Sequence, residues 1–85
     1  MNDVNYNPNG TPNVPNLDCM ESDDLYIYVS QFEHSDDKQR ALTASYAYSK
    51  AKAQDSRLAG NILHAQARED ACDAIYDKLP SDYRW

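Results

Sequence analysis

Residues 55–65 read Asp55-Ser56-Arg57-Leu58-Ala59-Gly60-Asn61-Ile62-Leu63-His64-Ala65. Gly60 is one of two glycines in the chain, and it separates two stretches with helical spacing. Upstream, Ala41, Ala44, Tyr48, Ala51, Asp55 and Leu58 recur at intervals of three and four. Downstream, Ile62, Ala65, Glu69, Cys72, Tyr76 and Leu79 do the same, with Ala71 and Ile75 flanking them. Such stripes are seams for packing on another helix. Asp55-Ser56 offers a competing break, but Gly60-Asn61 is the stronger stop, because glycine accepts the left-handed backbone that ends a helix. The spacing therefore predicts one helix from about Asp36 to Ala59 and another from about Ile62 to Lys78, the latter closed by Pro80. A connection this short folds the two antiparallel.

Working outward, Ser22-Asp23-Asp24 carries a helix-start signal: Ser as N-cap, then carboxylates near the positive end of the helix dipole. Leu25, Tyr28, Val29 and Phe32 follow at i, i+3, i+4 and i+7, one helical face that would cover a side of the hairpin. The run Leu25-Tyr26-Ile27-Tyr28-Val29 also suits a strand, but the start signal, the spacing and the lack of a partner strand favour a helix. Ser35-Asp36-Asp37 repeats the start signal ahead of the long helix. Residues 1–16 hold six Asn, three Pro and one Gly, and show no periodic pattern. They read as an irregular arm before a single helical domain at 17–85. The ending Ser81-Asp82-Tyr83-Arg84-Trp85 is aromatic enough to pack back on the hairpin, with an exposed peptide as the alternative. The fold class is all-α: an antiparallel hairpin of helices 2 and 3, with a short first helix across it.

The 85-residue chain has room for one domain. Leu, Ile, Val and Phe are scarce, while there are ten Ala, all between Ala41 and Ala74, and seven Tyr. The core is expected to be thin, and thin cores are often completed by association. Charge is split along the chain. Residues 1–37 hold eight carboxylates and no Lys or Arg; residues 38–85 hold all eight basic residues and six carboxylates, giving −6 overall. This argues against direct nucleic-acid binding by the first half. Lys50, Lys52 and Arg57 with Tyr46 and Tyr48 make a mild basic and aromatic patch, diluted by Asp70, Asp73 and Asp77. No apolar run reaches bilayer length, and no secretion signal leads the chain, so a reduced cytoplasmic setting is expected. Cys72 reads as a small buried hydrophobe, with a Cys19–Cys72 disulfide as the alternative.

Chemistry-bearing patterns are sparse. His34 and His64 are thirty residues apart, and no metal-ligand spacing occurs. The carboxylates at 18–24 lack the glycine-centred calcium loop. Neither cysteine has a local His and carboxylate to activate it, and no glycine-rich phosphate loop exists. Asp55 and Glu69 lie five and nine residues from the turn and so do not face each other. Glu69 is expected to meet Arg57, Lys52 or Ser56. No catalytic residue, metal site or cofactor is expected.

Arg57-Leu58-Ala59-Gly60-Asn61-Ile62, with Cys72-Asp73-Ala74-Ile75-Tyr76-Asp77-Lys78-Leu79-Pro80 and the final Arg84-Trp85, resembles a class of small phage-type helical-hairpin proteins. Their ending is an Ile-Tyr-x-x-Leu-Pro pattern before an aromatic terminus. The hairpin also resembles one tetratricopeptide-type helix pair, without that family's full signature or a second repeat. Neither resemblance implies an activity. The expected role is a non-enzymatic module that forms a homodimer or docks on another protein, through Tyr48, Ile75, Tyr76 and Trp85. The alternative is an acidic decoy for a basic, nucleic-acid-handling protein, presenting Asp23, Asp24, Asp36 and Asp37.

Overall fold

Asp37 starts the longest helix. Its backbone is extended, and its Oδ1 accepts from the amides of Gln39 at 3.0 Å and Arg40 at 3.3 Å. An N-cap carboxylate satisfies donors that the first turn leaves without partners. In the computed structural model, which describes residues 6–85, three helices follow: α1 (Ser22–Phe32), α2 (Lys38–Leu58) and α3 (Ile62–Lys78). Short 3-10 turns at Leu17–Cys19 and Ser81–Tyr83 flank them. The only extended pairing among the described residues is an isolated antiparallel bridge between Tyr6 and Pro12. The protein is all-helical, as expected. The irregular arm read at 1–16 is described from Tyr6 onward; residues 1–5 lie outside the described residues.

Gly60 ends α2 as its sequence context requires. Its φ is +81°. Its amide donates to the Arg57 carbonyl at 3.0 Å, and the Asn61 amide reaches back to the Ser56 carbonyl at 2.8 Å. These two bonds close the carbonyls that the last turn leaves open. Asn61 then caps α3, accepting from the His64 amide at 3.2 Å. Asp55-Ser56 is no break: α2 runs through it. Two start positions differ from the expectation. Glu21, not Ser22, occupies the N-cap of α1 and makes no side-chain cap bond. The long helix begins at Lys38 rather than Asp36, because Asp37 is used as the cap.

α2 lies between its neighbours and packs on both α1 and α3. Leu25, Tyr28, Val29 and Phe32 are all buried, the face read from their spacing. They rest on α2 rather than across both members of the hairpin. The single seam read along α2 is therefore incomplete, since a central helix needs two buried faces. Arg40, Thr43, Ala44, Ala47 and Ala51 form one, and Tyr46, Ser49 and Ala53 the other. Tyr48, expected in the seam, is 40% exposed between Tyr26 and Arg68. Leu58 and Ile62 are exposed at the turn, where the helices have no third element to cover them. On α3, Ala65, Cys72 and Leu79 are buried as the seam required.

The aromatic ending packs back. The Trp85 ring meets Tyr46 at 4.6 Å and Tyr76 at 4.9 Å, both edge-on, a geometry that aromatic quadrupoles favour. Its carbonyl accepts from the Tyr76 hydroxyl at 2.8 Å. Both cysteines are free. Cys19 is exposed, and Cys72 is buried with Sγ 3.7 Å from the Tyr46 carbonyl.

Candidate functional site

Two carboxylates tie distant parts of the chain together. Besides capping α2, Asp37 accepts through Oδ2 from the hydroxyls of Tyr6 at 2.6 Å and Tyr83 at 2.7 Å. One side chain thus joins the arm, the start of α2 and the C-terminal turn. Asp18, in the 3-10 turn Leu17–Cys19, likewise joins that turn to the middle of α2 and to the C-terminus. It accepts from the Tyr46 hydroxyl and from the Trp85 indole at 3.1 Å, and it lies 3.5 Å from the Lys50 ammonium. Burial opposes ionisation of both groups, but their hydrogen-bond donors outweigh it. Each therefore titrates below the usual carboxylate range. The partners respond in the opposite sense. The bond to Asp37, with burial second, pushes the Tyr83 hydroxyl up to about 12. Burial, and then Asp18, raises Tyr46.

Carboxylates with depressed folded values contribute stability that is present above their unfolded pKa, about 4. That stability is lost as pH falls through the folded values. The urea midpoint is expected to be flat down to about pH 5 and to fall steeply below about 4. An Asp18→Asn, Asp37→Asn double variant should be less stable at neutral pH and lose much less on acidification. An acid limb equally steep in that variant would assign the effect to other carboxylates.

Beside Asp37 sits a buried cation. Arg40 is 1% exposed. Its Nη1 donates to the Asn13 carbonyl at 3.1 Å and to the Tyr28 hydroxyl oxygen at 3.4 Å. Thr43 spends its one hydroxyl proton on the Arg40 carbonyl at 2.6 Å. The 2.9 Å contact between Tyr28 and Thr43 must then be donated by Tyr28. The network is thus directional, running from the guanidinium through two hydroxyls to the helix backbone. The rings of Phe32 and Tyr6 lie 4.9 and 5.3 Å from the guanidinium carbon. Nε and Nη2 are buried and have no hydrogen-bond partner among the described residues. Arginine is seldom fully buried unless paired, so sequence patterning had no means of finding this residue.

The acidic residues read as a docking surface lie at opposite ends of α1. Asp23 and Asp24 lie in the first turn of α1. Asp36 and Asp37 follow the other end of that eleven-residue helix, roughly 16 Å away at the rise of an α-helix, and Asp37 is engaged internally. The aromatic set also divides. Tyr76 packs on Tyr46, whereas Tyr48 meets Tyr26, and positions 46 and 48 point to different sides of α2. Ile75, Tyr76 and Trp85 are partly buried against the core.

Glu69 meets Arg57, as expected. Nε and Nη2 of Arg57 each bond one Glu69 oxygen at 2.7 Å, which lowers the Glu69 pKa. This pair straps α2 to α3 just below the turn. Beyond it, Leu58 and Leu63 are 86% and 87% exposed and Ile62 54%. Sequence reasoning extended the seam to the end of the hairpin and so missed this apolar tip. A groove of about 430 Å³ lined by Glu21, Ser22, Gln54, Arg57 and Leu58 opens beside it.

Burial pushes the Cys72 thiol up to about 11, which keeps it protonated and unreactive at neutral pH. Among the described residues, no three His, Cys, Asp or Glu side chains converge on a metal position, and no helix is long and apolar enough to cross a membrane. No family model matches the chain, and no curated protein or solved structure matches it either.

Proposed function

We propose that this chain is a non-enzymatic association module, a helical hairpin that pairs with a second copy of itself through the apolar tip at Leu58, Ile62 and Leu63. The observation that carries this reading is the exposure of three large aliphatic side chains together at one end of a protein with a thin core. Contiguous exposed apolar surface on a small domain marks an association site. The separation of Asp23 and Asp24 from Asp36 and Asp37 supports an apolar contact over an acidic decoy surface.

Sedimentation equilibrium over a wide concentration range tests this. The apparent mass is expected to rise from 9.7 kDa towards twice that value, and to do so equally at low and high salt, since apolar burial is not screened. A Leu58→Asp, Leu63→Asp double variant should stay monomeric with an unchanged helical spectrum, because neither side chain supports the core. A wild-type protein that remains monomeric throughout would sink the self-pairing reading. Association that high salt dissolves would favour the acidic surface instead.

A further inference from the structure

The guanidinium edge left open on Arg40 has a counterpart in the same molecule. Arg57 grips Glu69 through Nε and Nη2, each at 2.7 Å. That edge presents two parallel N–H groups that match the two oxygens of one carboxylate. In Arg40 the same two atoms are buried and have no partner among the described residues, and no carboxylate of a described residue lies within ion-pair distance. A buried cation normally has a partner, because its desolvation is otherwise uncompensated. Arg40 also forms part of the wall of a pocket of about 220 Å³ at the α1–α2 junction, with Tyr6, Ser30, Phe32, His34 and Ser35.

We propose that the Nε/Nη2 edge of Arg40, beneath Tyr6 at the α1–α2 junction, is a binding fork for a small carboxylate anion. Three features fit that ligand. The donor pair is planar and two-pronged, which matches the two oxygens of one carboxylate. Phe32 and Tyr6 lie against the guanidinium and restrain the plane in which the fork acts. Ser30, His34 and Ser35 supply polar lining, and a pocket of about 220 Å³ has room for a small ligand. The Tyr6 ring lies against the guanidinium and is held by its hydroxyl bond to Asp37 and the bridge to Pro12, so ligand entry requires those contacts to yield. The site is independent of pairing through the tip.

The test follows the arginine Nε–H signals of the isotope-labelled full chain by NMR as sodium acetate is added, with sodium chloride at matched ionic strength as control. The Arg40 signal is expected to shift along a saturating curve with acetate and not with chloride. The Arg57 signal, already paired with Glu69, should stay still and report that the fold is intact. In Arg40→Lys, which keeps the charge and loses the fork, the saturable acetate response of the Tyr6 and His34 backbone signals should be lost. A wild-type response that is linear, or matched by chloride, would overturn the proposal. Saturation by sodium phosphate at lower concentration than acetate would overturn the carboxylate assignment. Asp3 is the one carboxylate of residues 1–5, which lie outside the described residues. An Arg40 signal that moves in Asp3→Asn while wild type ignores acetate would assign the fork to the chain's own arm and overturn an external ligand.

Discussion

Replacing Asp37 by alanine is expected to destabilise the protein by about 3 kcal/mol, more than the loss of an ordinary helix cap. The cap itself, Oδ1 with the amides of Gln39 and Arg40, is worth about 1 kcal/mol. The hydroxyls of Tyr6 and Tyr83 on Oδ2 add about 1 kcal/mol each, below the usual worth of a bond to a charged acceptor because both hydroxyls can find water when released. Substitutions that remove one function at a time separate these parts. Asparagine caps a helix as well as aspartate does, so Asp37→Asn keeps the cap and weakens only the tyrosine bonds, at about 1–2 kcal/mol. Tyr6→Phe and Tyr83→Phe should each cost about 1 kcal/mol. Urea unfolding gives the energies. Hydrogen exchange gives the location: in Asp37→Ala, protection should fall together at the arm and the C-terminal turn, which touch through this carboxylate although Tyr6 and Tyr83 are far apart in sequence. A cost of about 1 kcal/mol with protection unchanged at both ends would reduce Asp37 to a cap.

Asp37 also marks the boundary of what sequence pattern could supply. Local rules are enough for the helices. Gly60 must take the left-handed position, the spacing of Leu25, Tyr28, Val29 and Phe32 makes one helical face, and Glu69 has a cation within reach on the facing helix. Asp37 stands in a helix-start signal for the same local reason. Its hydroxyl partners lie 31 and 46 residues away, and no periodicity encodes a contact made by loops at such separation. The two-sided burial of α2 was hidden because its second face is built from Tyr46, Ser49 and Ala53, residues with weak hydrophobic contrast. The tip was misread for the opposite reason. Leu58 and Ile62 continue the stripe perfectly well, but a stripe says which side faces the partner helix and not whether anything remains to cover its end.

Arg40→Met is expected to stabilise the protein by about 2 kcal/mol, the reverse of what deleting a buried hydrogen-bonding side chain normally does. The losses are small. Tyr28 still donates to Thr43 after its contact with Nη1 is gone, and Asn13, an exposed residue, can turn its carbonyl to water. The cation–π contacts with Phe32 and Tyr6 are replaced by thioether–aromatic contacts of similar size, about 1 kcal/mol. The gain is removal of a desolvated charge with two donors left unpaired, and apolar replacement of buried charge has stabilised proteins by roughly 1–4 kcal/mol. Thermal and urea unfolding at neutral pH in an acetate-free buffer measure the balance. Acetate should then narrow the gap, because a ligand that binds only the folded wild type raises its stability by mass action. A more stable Arg40→Met protein that no longer responds to acetate would mean the charge is kept at a cost to stability for what it binds. A variant weakened by about 3–5 kcal/mol would instead mean that the cation already has a partner within the chain, since that is the penalty for breaking a buried pair.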